Sequence, residues 1–121
     1  MSKIFVCDDD VVMLMMVKRI LGSKHEIETC QNINALVSLL KEKTPDIVLL
    51  DFQMPEGDAL SALQVLRDND LYPRIPVAIL SGELDLRLKQ QCLDEGVMDF
   101  IKKPFMPDAL TARVDGLLEQ L

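Results

Sequence analysis

The sequence is poor in the residues from which many common sites are built. Its 121 residues include one histidine, three cysteines and five glycines. A single histidine, His25, excludes a Ser-His-Asp triad or a histidine-rich metal site within this chain. The cysteines at positions 7, 30 and 92 are odd in number and lack the spacing of a zinc site. We therefore interpret them as small hydrophobic residues in a reducing cytoplasm.

The chain also lacks an excess of positive charge. It has 13 lysines and arginines against 20 aspartates and glutamates, a formal net charge of -7. Nucleic acid phosphates and anionic membrane surfaces would repel such a domain, so we expect direct binding to neither. No apolar run is long enough to span a bilayer and no signal-peptide pattern opens the chain, which favours a cytoplasmic location. With 49% hydrophobic residues, the chain suits one domain over residues 1–121.

Strand-like and helix-like patterns alternate five times along the chain. Such alternation predicts a parallel sheet with helices on both faces. Five units are too few for an eight-stranded barrel, so the prediction is an α/β, flavodoxin-like (βα)5 fold, a doubly wound parallel five-stranded sheet in the order 2-1-3-4-5. The predicted strands are 3–7, 25–30, 46–51, 75–80 and 98–102. Four of the predicted helices are 11–21, 58–67, 84–95 and 107–121. The remaining helix, second along the chain, is capped by Asn32 or Asn34 and ended by Thr44-Pro45.

The first helix carries more apolar residues than one buried face needs. Helical spacing places Met13, Met16, Val17, Ile20 and Leu21 in the core and leaves Val11, Val12, Leu14 and Met15 outside it. The second group either lies under neighbouring loops or forms a partner surface, for which flexible methionine is well suited.

Polar residues follow four of the predicted strands at the point where each strand ends. Asp8-Asp9-Asp10 follows the first strand, Asp51 ends the third, Ser81 follows the fourth and Lys103 follows the fifth. Each has an ordinary explanation as a helix cap, a turn residue or a solvated charge. In open α/β sheets, however, ligands bind outside the carboxyl ends of the strands. The joint placement on one edge therefore favours a functional site.

The expected chemistry of this edge is that of a hard metal ion. Crowded carboxylates raise one another's pKa unless a cation neutralises them, and oxygen ligands of this kind suit Mg²⁺. We interpret Asp9 and Asp51 as direct ligands, Asp8 as acting through water, and the backbone carbonyl of Gln53 as a further oxygen. If Asp51 carried a phosphoryl group, Lys103 would pair with one of its oxygens and Ser81 would donate a hydrogen bond to another.

Four segments together closely resemble the receiver domain of bacterial two-component response regulators, and the resemblance covers the whole chain. They are Val6-Cys-Asp-Asp-Asp10, Ile47-Val-Leu-Leu-Asp-Phe-Gln-Met-Pro55, Val77-Ala-Ile-Leu-Ser-Gly82 and Phe100-Ile-Lys-Lys-Pro-Phe105. One loop departs from the family pattern: the usual Met-Pro-Gly-Met-Asp-Gly is here Met54-Pro-Glu-Gly-Asp-Ala59.

The resemblance implies a role for each of these residues. Asp51 would accept a phosphoryl group from a histidine kinase or histidine phosphotransfer protein, and Asp8 and Asp9 would hold Mg²⁺ with it. Ser81 would be the switch hydroxyl, and Phe100 the switch aromatic that turns inward when Ser81 moves towards the phosphate. Lys103 would contact the phosphoryl group, and its bond to Pro104 would be cis. The exposed end of the first helix would dock the phosphodonor.

The resemblance also implies a signalling switch that is not a turnover enzyme, controls an output partner or fused effector domain, and is a monomer or weak homodimer. The chain is either a stand-alone receiver or part of a longer regulator or hybrid kinase. A receiver-shaped module that is never phosphorylated is the main alternative. An aspartyl phosphatase would need a second acid at position 53, which is glutamine, and three aspartates would repel the phosphate of a flavin.

Overall fold

A computed structural model of the protein describes residues 2–82 and 85–121. The strands in these two ranges are β1 Lys3–Cys7, β2 Glu26–Cys30, β3 Ile47–Asp51, β4 Gln53–Met54, β5 Gly57–Asp58, β6 Val77–Ser81 and β7 Phe100–Lys102. The helices in them are α1 Val11–Leu21, α2 Ile33–Glu42, α3 Ala59–Asp68, α4 Leu86–Asp94 and α5 Pro107–Glu119.

The main sheet confirms the predicted fold. Its strands are parallel and lie in the order β2-β1-β3-β6-β7, which is the predicted order 2-1-3-4-5 once the short strands β4 and β5 are set aside. Apolar residues cover both faces. One core cluster joins the sheet to α2, α3 and α4, and the other joins it to α1 and α5. All five residues of β3 are buried, as expected for a central strand with helices on both sides.

Side-chain caps set the starts of four helices. Asp10 caps α1 by accepting hydrogen bonds from the backbone N–H groups of Val12 and Met13 at 2.9 and 3.3 Å. Asn32, Asp58 and Asp85 cap α2, α3 and α4 in the same way. Ser81 is therefore not the cap of α4. The predicted start of that helix, Leu84, lies outside the described residues.

The predicted buried face of α1 was wrong in part. Leu14 is 4% exposed and lies in the core with Val17 and Leu21, whereas Met16 is 40% exposed. Every residue from 11 to 17 is apolar, so more than one stripe satisfies helical spacing. The packing of α1 between β1 and α5 decides which stripe is buried, and it selects the one that contains Leu14.

Two strands begin two residues later than predicted, and one hairpin was not predicted. The fourth main strand begins at Val77 instead of residue 75, after Pro76, which has no N–H for the ladder. The fifth begins at Phe100 instead of residue 98. The antiparallel hairpin of β4 and β5 lies between β3 and α3, where the sequence indicated only a turn.

The described residues include the three cysteines, the five helices and the single histidine on which the sequence interpretation commented. Cys7, Cys30 and Cys92 are all buried and free, which agrees with their interpretation as small hydrophobic residues. Among the described helices, none combines the length and the hydrophobicity that crossing a bilayer requires. His25 precedes β2, and its Nε2 lies 2.8 Å from Asp115 Oδ1 on α5.

Candidate functional site

The parallel register brings the ends of four strands to one edge of the sheet. Leu50, the residue before Asp51, is level with Cys7, so Asp8 and Asp51 leave neighbouring strands together. Ser81, the last residue of β6, is level with Lys102, so Lys103 follows directly beside it. The sequence-predicted residues at these strand ends therefore do meet.

Three carboxylates form a cluster at this edge. Asp8, Asp9 and Asp51 each offer an oxygen, and the three oxygens lie within 4.8 Å of one another. Asp8 and Asp51 are 1% and 5% exposed, while Asp9 is open to solvent. The donor set consists of hard carboxylate oxygens, is partly open to water and carries excess negative charge, so it fits a hard divalent cation. This cluster can therefore hold a metal ion.

The acidic run after β1 has two separate uses. The Asp10 side chain caps α1, and its backbone N–H donates to Asp8 Oδ1 at 2.9 Å. The capping explanation of the run thus applies to Asp10, whereas Asp8 and Asp9 belong to the carboxylate cluster. A cap and two potential ligands occupy three consecutive positions because the chain turns directly from strand to helix.

Lys103 supplies the positive charge of the site. Its Nζ lies 2.9 Å from Asp51 Oδ1 and 3.2 Å from Asp8 Oδ2, and its side chain is 16% exposed. Its backbone N–H donates to the Ser81 carbonyl at 2.6 Å, and its bond to Pro104 is cis, as the resemblance implies. The neighbouring Lys102 is exposed, so only one of the two lysines is the solvated charge of the ordinary explanation.

Burial and charge shift the titration of the central pair. Burial raises the pKa of Asp51 above its ordinary value of 3.8, and the hydrogen bond from Lys103 offsets only part of this effect. Burial disfavours the charged form of Lys103, but the hydrogen bond and negative charge of Asp51 outweigh it and raise the lysine pKa. Lys103 is therefore charged at neutral pH. Burial disfavours the ionised form of Asp51, and a bound cation would stabilise that form.

We predict that Asp51→Asn stabilises the metal-free protein at neutral pH. Because the folded-state pKa of Asp51 is raised, its contribution to stability is fully present below pH 3.8 and is lost as the pH rises through the folded-state pKa. The neutral asparagine avoids that loss. Urea unfolding in EDTA should show a higher free energy of unfolding for the variant at pH 7.5, with the difference shrinking towards pH 4. A variant less stable than wild type at pH 7.5 would contradict this reasoning.

The remaining predicted residues lie around the cluster. Ser81 is 3% exposed at the end of β6. Phe100 is buried, and its ring centroid lies 6.2 Å from that of Phe52 at an interplanar angle of 57°. Gln53 is exposed and begins β4, two residues after Asp51. Phe52, which follows the cluster directly in sequence, thus connects it to Phe100 through ring packing.

The sequence interpretation did not include the contacts that hold the loop after Asp51. Met54 is 3% exposed, and its Sδ lies 3.8 Å from Cys7 Sγ. Glu56 Oε1 accepts a hydrogen bond from the backbone N–H of Ile33 at 2.8 Å. The contact between Glu56 and Ile33 had one signal in the sequence, because Glu56 stands at a position where the loop departs from the family pattern.

Comparisons with known proteins identify the same fold and its family. The family model described as "Response regulator receiver domain" matches residues 4–115. The chain is 30% identical to the chemotaxis protein CheY of Bacillus subtilis over 118 residues, which cover 96% of this chain and 97% of that protein. It is 32% identical to the DNA-binding transcriptional regulator NtrC of Salmonella typhimurium over 113 residues, 93% of this chain.

The match to NtrC covers 24% of that regulator, so this chain spans about a quarter of its length. Among solved structures, the receiver domain of the Francisella response regulator 1452 superposes with a TM-score of 0.87 at 27% identity, over 99% of this chain and 98% of that one. Receiver domains are signalling switches that pair with histidine kinases and output domains. The chain belongs to the response regulator receiver domain family.

Proposed function

We propose that this chain is a phospho-accepting switch of a two-component phosphorelay, with Asp51 as the acceptor. The observation that carries the proposal is the position of Asp51, which lies within the carboxylate cluster and 2.9 Å from the Lys103 ammonium. A carboxylate oxygen of Asp51 attacks the phosphorus of a phosphohistidine. The P–N bond breaks, its electron pair stays on the imidazole, and a P–O bond forms to Asp51.

Mg²⁺ is the proposed ion of the cluster, and when bound it supplies the positive charge that balances the carboxylates and the incoming phosphoryl oxygens. Asp8, Asp9 and Asp51 would hold it, together with the backbone carbonyl of Gln53. Lys103 moves its charge from the Asp51 carboxylate to a phosphoryl oxygen as negative charge accumulates there. The contacts of its ammonium with Asp51 at 2.9 Å and with Asp8 at 3.2 Å support this role.

Ser81 and Phe100 are the proposed output of the site. The Ser81 hydroxyl donates to a phosphoryl oxygen, and its movement changes the space around Phe100 on β7. Phe100 packs against Phe52, the residue directly after the acceptor, so this contact links the proposed switch aromatic to the acceptor segment. An output partner, or a fused effector domain, would sense the altered surface.

Intact-mass spectrometry after incubation with acetyl phosphate tests this function. We expect the wild-type chain to gain one phosphoryl group in the presence of Mg²⁺ and essentially none in EDTA, because uncompensated carboxylates repel the anionic donor. Equal labelling with and without the metal would contradict the proposed role of the ion. No labelling under either condition would favour the alternative of a receiver-shaped module that is never phosphorylated.

The phosphodonor is proposed to dock on the exposed start of α1. Val12 and Met15 are 71% and 67% exposed, and Val11 and Met16 are also open to solvent. Their helix begins at Val11, two residues after Asp9, with Asp10 as its cap. A donor protein that brings phosphohistidine to Asp51 would therefore pass over these apolar side chains. A histidine kinase or histidine phosphotransfer protein is the expected partner.

We predict that Met15→Lys slows phosphotransfer from the cognate kinase about tenfold while labelling by acetyl phosphate is unchanged, since only the protein donor needs the apolar contact. The two rates can be measured in parallel by intact mass. Leu86→Lys is a matched control, because Leu86 is equally exposed but lies on α4. Equal kinase rates for the wild-type chain and both variants would exclude α1 as the docking surface.

Several broader features belong to the same proposal. The chain assists its own phosphorylation and dephosphorylation but is not a turnover enzyme. It acts in the cytoplasm, as its three free cysteines suggest. Its net charge of -7 favours neither direct nucleic acid binding nor membrane binding. It is a monomer or a weak homodimer, and residues 1–121 act as one receiver domain.

A further inference from the structure

The loop between Asp51 and α3 is too small to hold its own shape. β4 and β5 have two residues each and pair Gln53 with Asp58 and Met54 with Gly57. Pro55 and Glu56 form the connection at the tip. An isolated two-stranded hairpin is marginally stable even when its strands are longer. Its conformation must therefore depend on contacts with the rest of the protein.

Contacts with the rest of the protein are found at the base, in the middle and at the tip of the loop. At the base of the loop, the Ala59 N–H donates to the Phe52 carbonyl at 2.7 Å. In the middle, the buried Met54 side chain contacts Cys7. At the tip, the Glu56 carboxylate accepts the hydrogen bond from the Ile33 N–H at 2.8 Å. Of these contacts, only the one at the tip is made by the side chain of a residue that departs from the family pattern.

The partner of Glu56 is well suited to hold it. Ile33 is the first residue of α2, a helix with no acidic residue of its own in the first turn, so its N-terminal N–H groups favour an external carboxylate. The start of α2 is itself attached to β1, because the Cys7 thiol lies 3.5 Å from the Asn32 carbonyl as its hydrogen-bond donor. Cys7 directly precedes Asp8. The contact therefore joins the segment carrying Gln53 to the segment carrying Asp8 and Asp9.

We propose that Glu56 is a positioning residue: it fastens the tip of the β4–β5 hairpin to the start of α2 and so holds the metal-binding loop in shape before the ion arrives. The inference rests on the proposed function, because its benefit is a Gln53 carbonyl held in place for Mg²⁺. Glu56 acts through the loop and touches neither the phosphoryl group nor the ion.

Three variants separate this role from a simple effect of charge. Glu56→Ala removes both the carboxylate and the hydrogen-bond acceptor, whereas Glu56→Gln removes the charge and keeps an acceptor oxygen. Glu42→Ala removes the same charge from the exposed far end of α2. Amide NMR of each protein gives hydrogen exchange in the metal-free state, and a Mg²⁺ titration then gives the Kd.

We expect Glu56→Ala to speed exchange of the amides at 53, 54, 57 and 58 about tenfold, because a hydrogen bond to a charged group is lost, and to weaken Mg²⁺ binding about threefold to tenfold. Glu42→Ala should stay within about twofold of wild type in both measurements, and Glu56→Gln, which keeps an acceptor oxygen but loses the charge, should lie between wild type and Glu56→Ala. Wild-type exchange in Glu56→Ala would overturn the fastening role. A Kd in Glu56→Gln as weak as in Glu56→Ala would assign the effect to charge and overturn the positioning role.

The two proposals fail in different ways. If the wild-type chain bound no Mg²⁺ and gained no phosphoryl group, the proposed function would fail, and the positioning role towards the ion would fall with it. Hydrogen exchange in the metal-free protein would still decide whether Glu56 fastens the loop. If wild type bound Mg²⁺ and Glu56→Ala bound it equally well, only the positioning role would fail.

Discussion

Lys103→Met is expected to slow phosphorylation by acetyl phosphate about a hundredfold, because it removes a preorganised positive charge from the phosphoryl oxygens in the transition state. The ammonium lies 2.9 Å from Asp51 and 3.2 Å from Asp8, so it is already beside the proposed acceptor. Methionine keeps most of the length and apolar stem of lysine. Intact-mass time courses at saturating Mg²⁺ would give the rate.

The same change is expected to destabilise the metal-free protein. Asp8 and Asp51 are almost fully buried and would lose the cation that pairs with both. Unfolding in urea with EDTA at pH 7.5 should show a loss of about 1–3 kcal/mol, the usual cost of leaving buried polar groups without a partner.

Lys102→Met is the matched control for both measurements. Lys102 is the adjacent residue and carries the same charge, but it is exposed. We expect it to retain the wild-type rate and stability. A Lys103→Met protein that is labelled at the wild-type rate would contradict the role assigned to its ammonium, whatever its stability.

Asp9→Asn is expected to weaken Mg²⁺ binding at least about tenfold, because a charged oxygen ligand becomes a neutral one. Thermal or urea unfolding can report this loss. At a Mg²⁺ concentration ten times the wild-type Kd, binding stabilises wild type by about 1.4 kcal/mol and a tenfold weaker variant by about 0.4 kcal/mol.

Asp10→Asn provides the control at the next position. Asparagine caps helices as well as aspartate does, so α1 should be preserved while one negative charge is lost. We expect Mg²⁺ to stabilise this variant almost as much as wild type. Equal losses in Asp9→Asn and Asp10→Asn would mean that the ion senses the general charge of the segment and is not held by Asp9.

The topology and the composition of the site were predictable from local patterns. Five buried-strand segments alternating with helices allow few arrangements, and strand ends of a parallel sheet must share an edge. Placing Asp8, Asp51, Ser81 and Lys103 at strand ends therefore also placed them near one another. The four segments that resemble receiver domains indicated the same residues independently.

The side-chain partners within the site were less predictable. The sequence interpretation paired Lys103 with a future phosphoryl group, whereas in the structure its ammonium contacts Asp51 and Asp8. Lys103 is separated from Asp51 by 52 positions and from Asp8 by 95 positions, so sequence periodicity cannot pair these residues. Opposite charges at one sheet edge were the only available signal.

Errors of detail came from segments in which the sequence allows more than one structure. The unbroken apolar run from 11 to 17 hid the burial of Leu14, because the orientation of α1 is set by packing. The two-residue strands β4 and β5 are too short for alternation to be visible. The contact between Glu56 and Ile33 joins the tip of the β4–β5 hairpin to the start of α2, 23 residues away in sequence, so no local pattern indicates it.

The most direct test compares Asp51→Asn with Asp46→Asn by intact mass after incubation with acetyl phosphate and Mg²⁺. Asp51 is the last residue of β3, whereas Asp46 directly precedes the opposite end of the strand and accepts a hydrogen bond from the Lys3 N–H. We predict that Asp46→Asn gains one phosphoryl group as wild type does and that Asp51→Asn gains none. A phosphoryl group on the Asp51→Asn chain would contradict Asp51 as the acceptor.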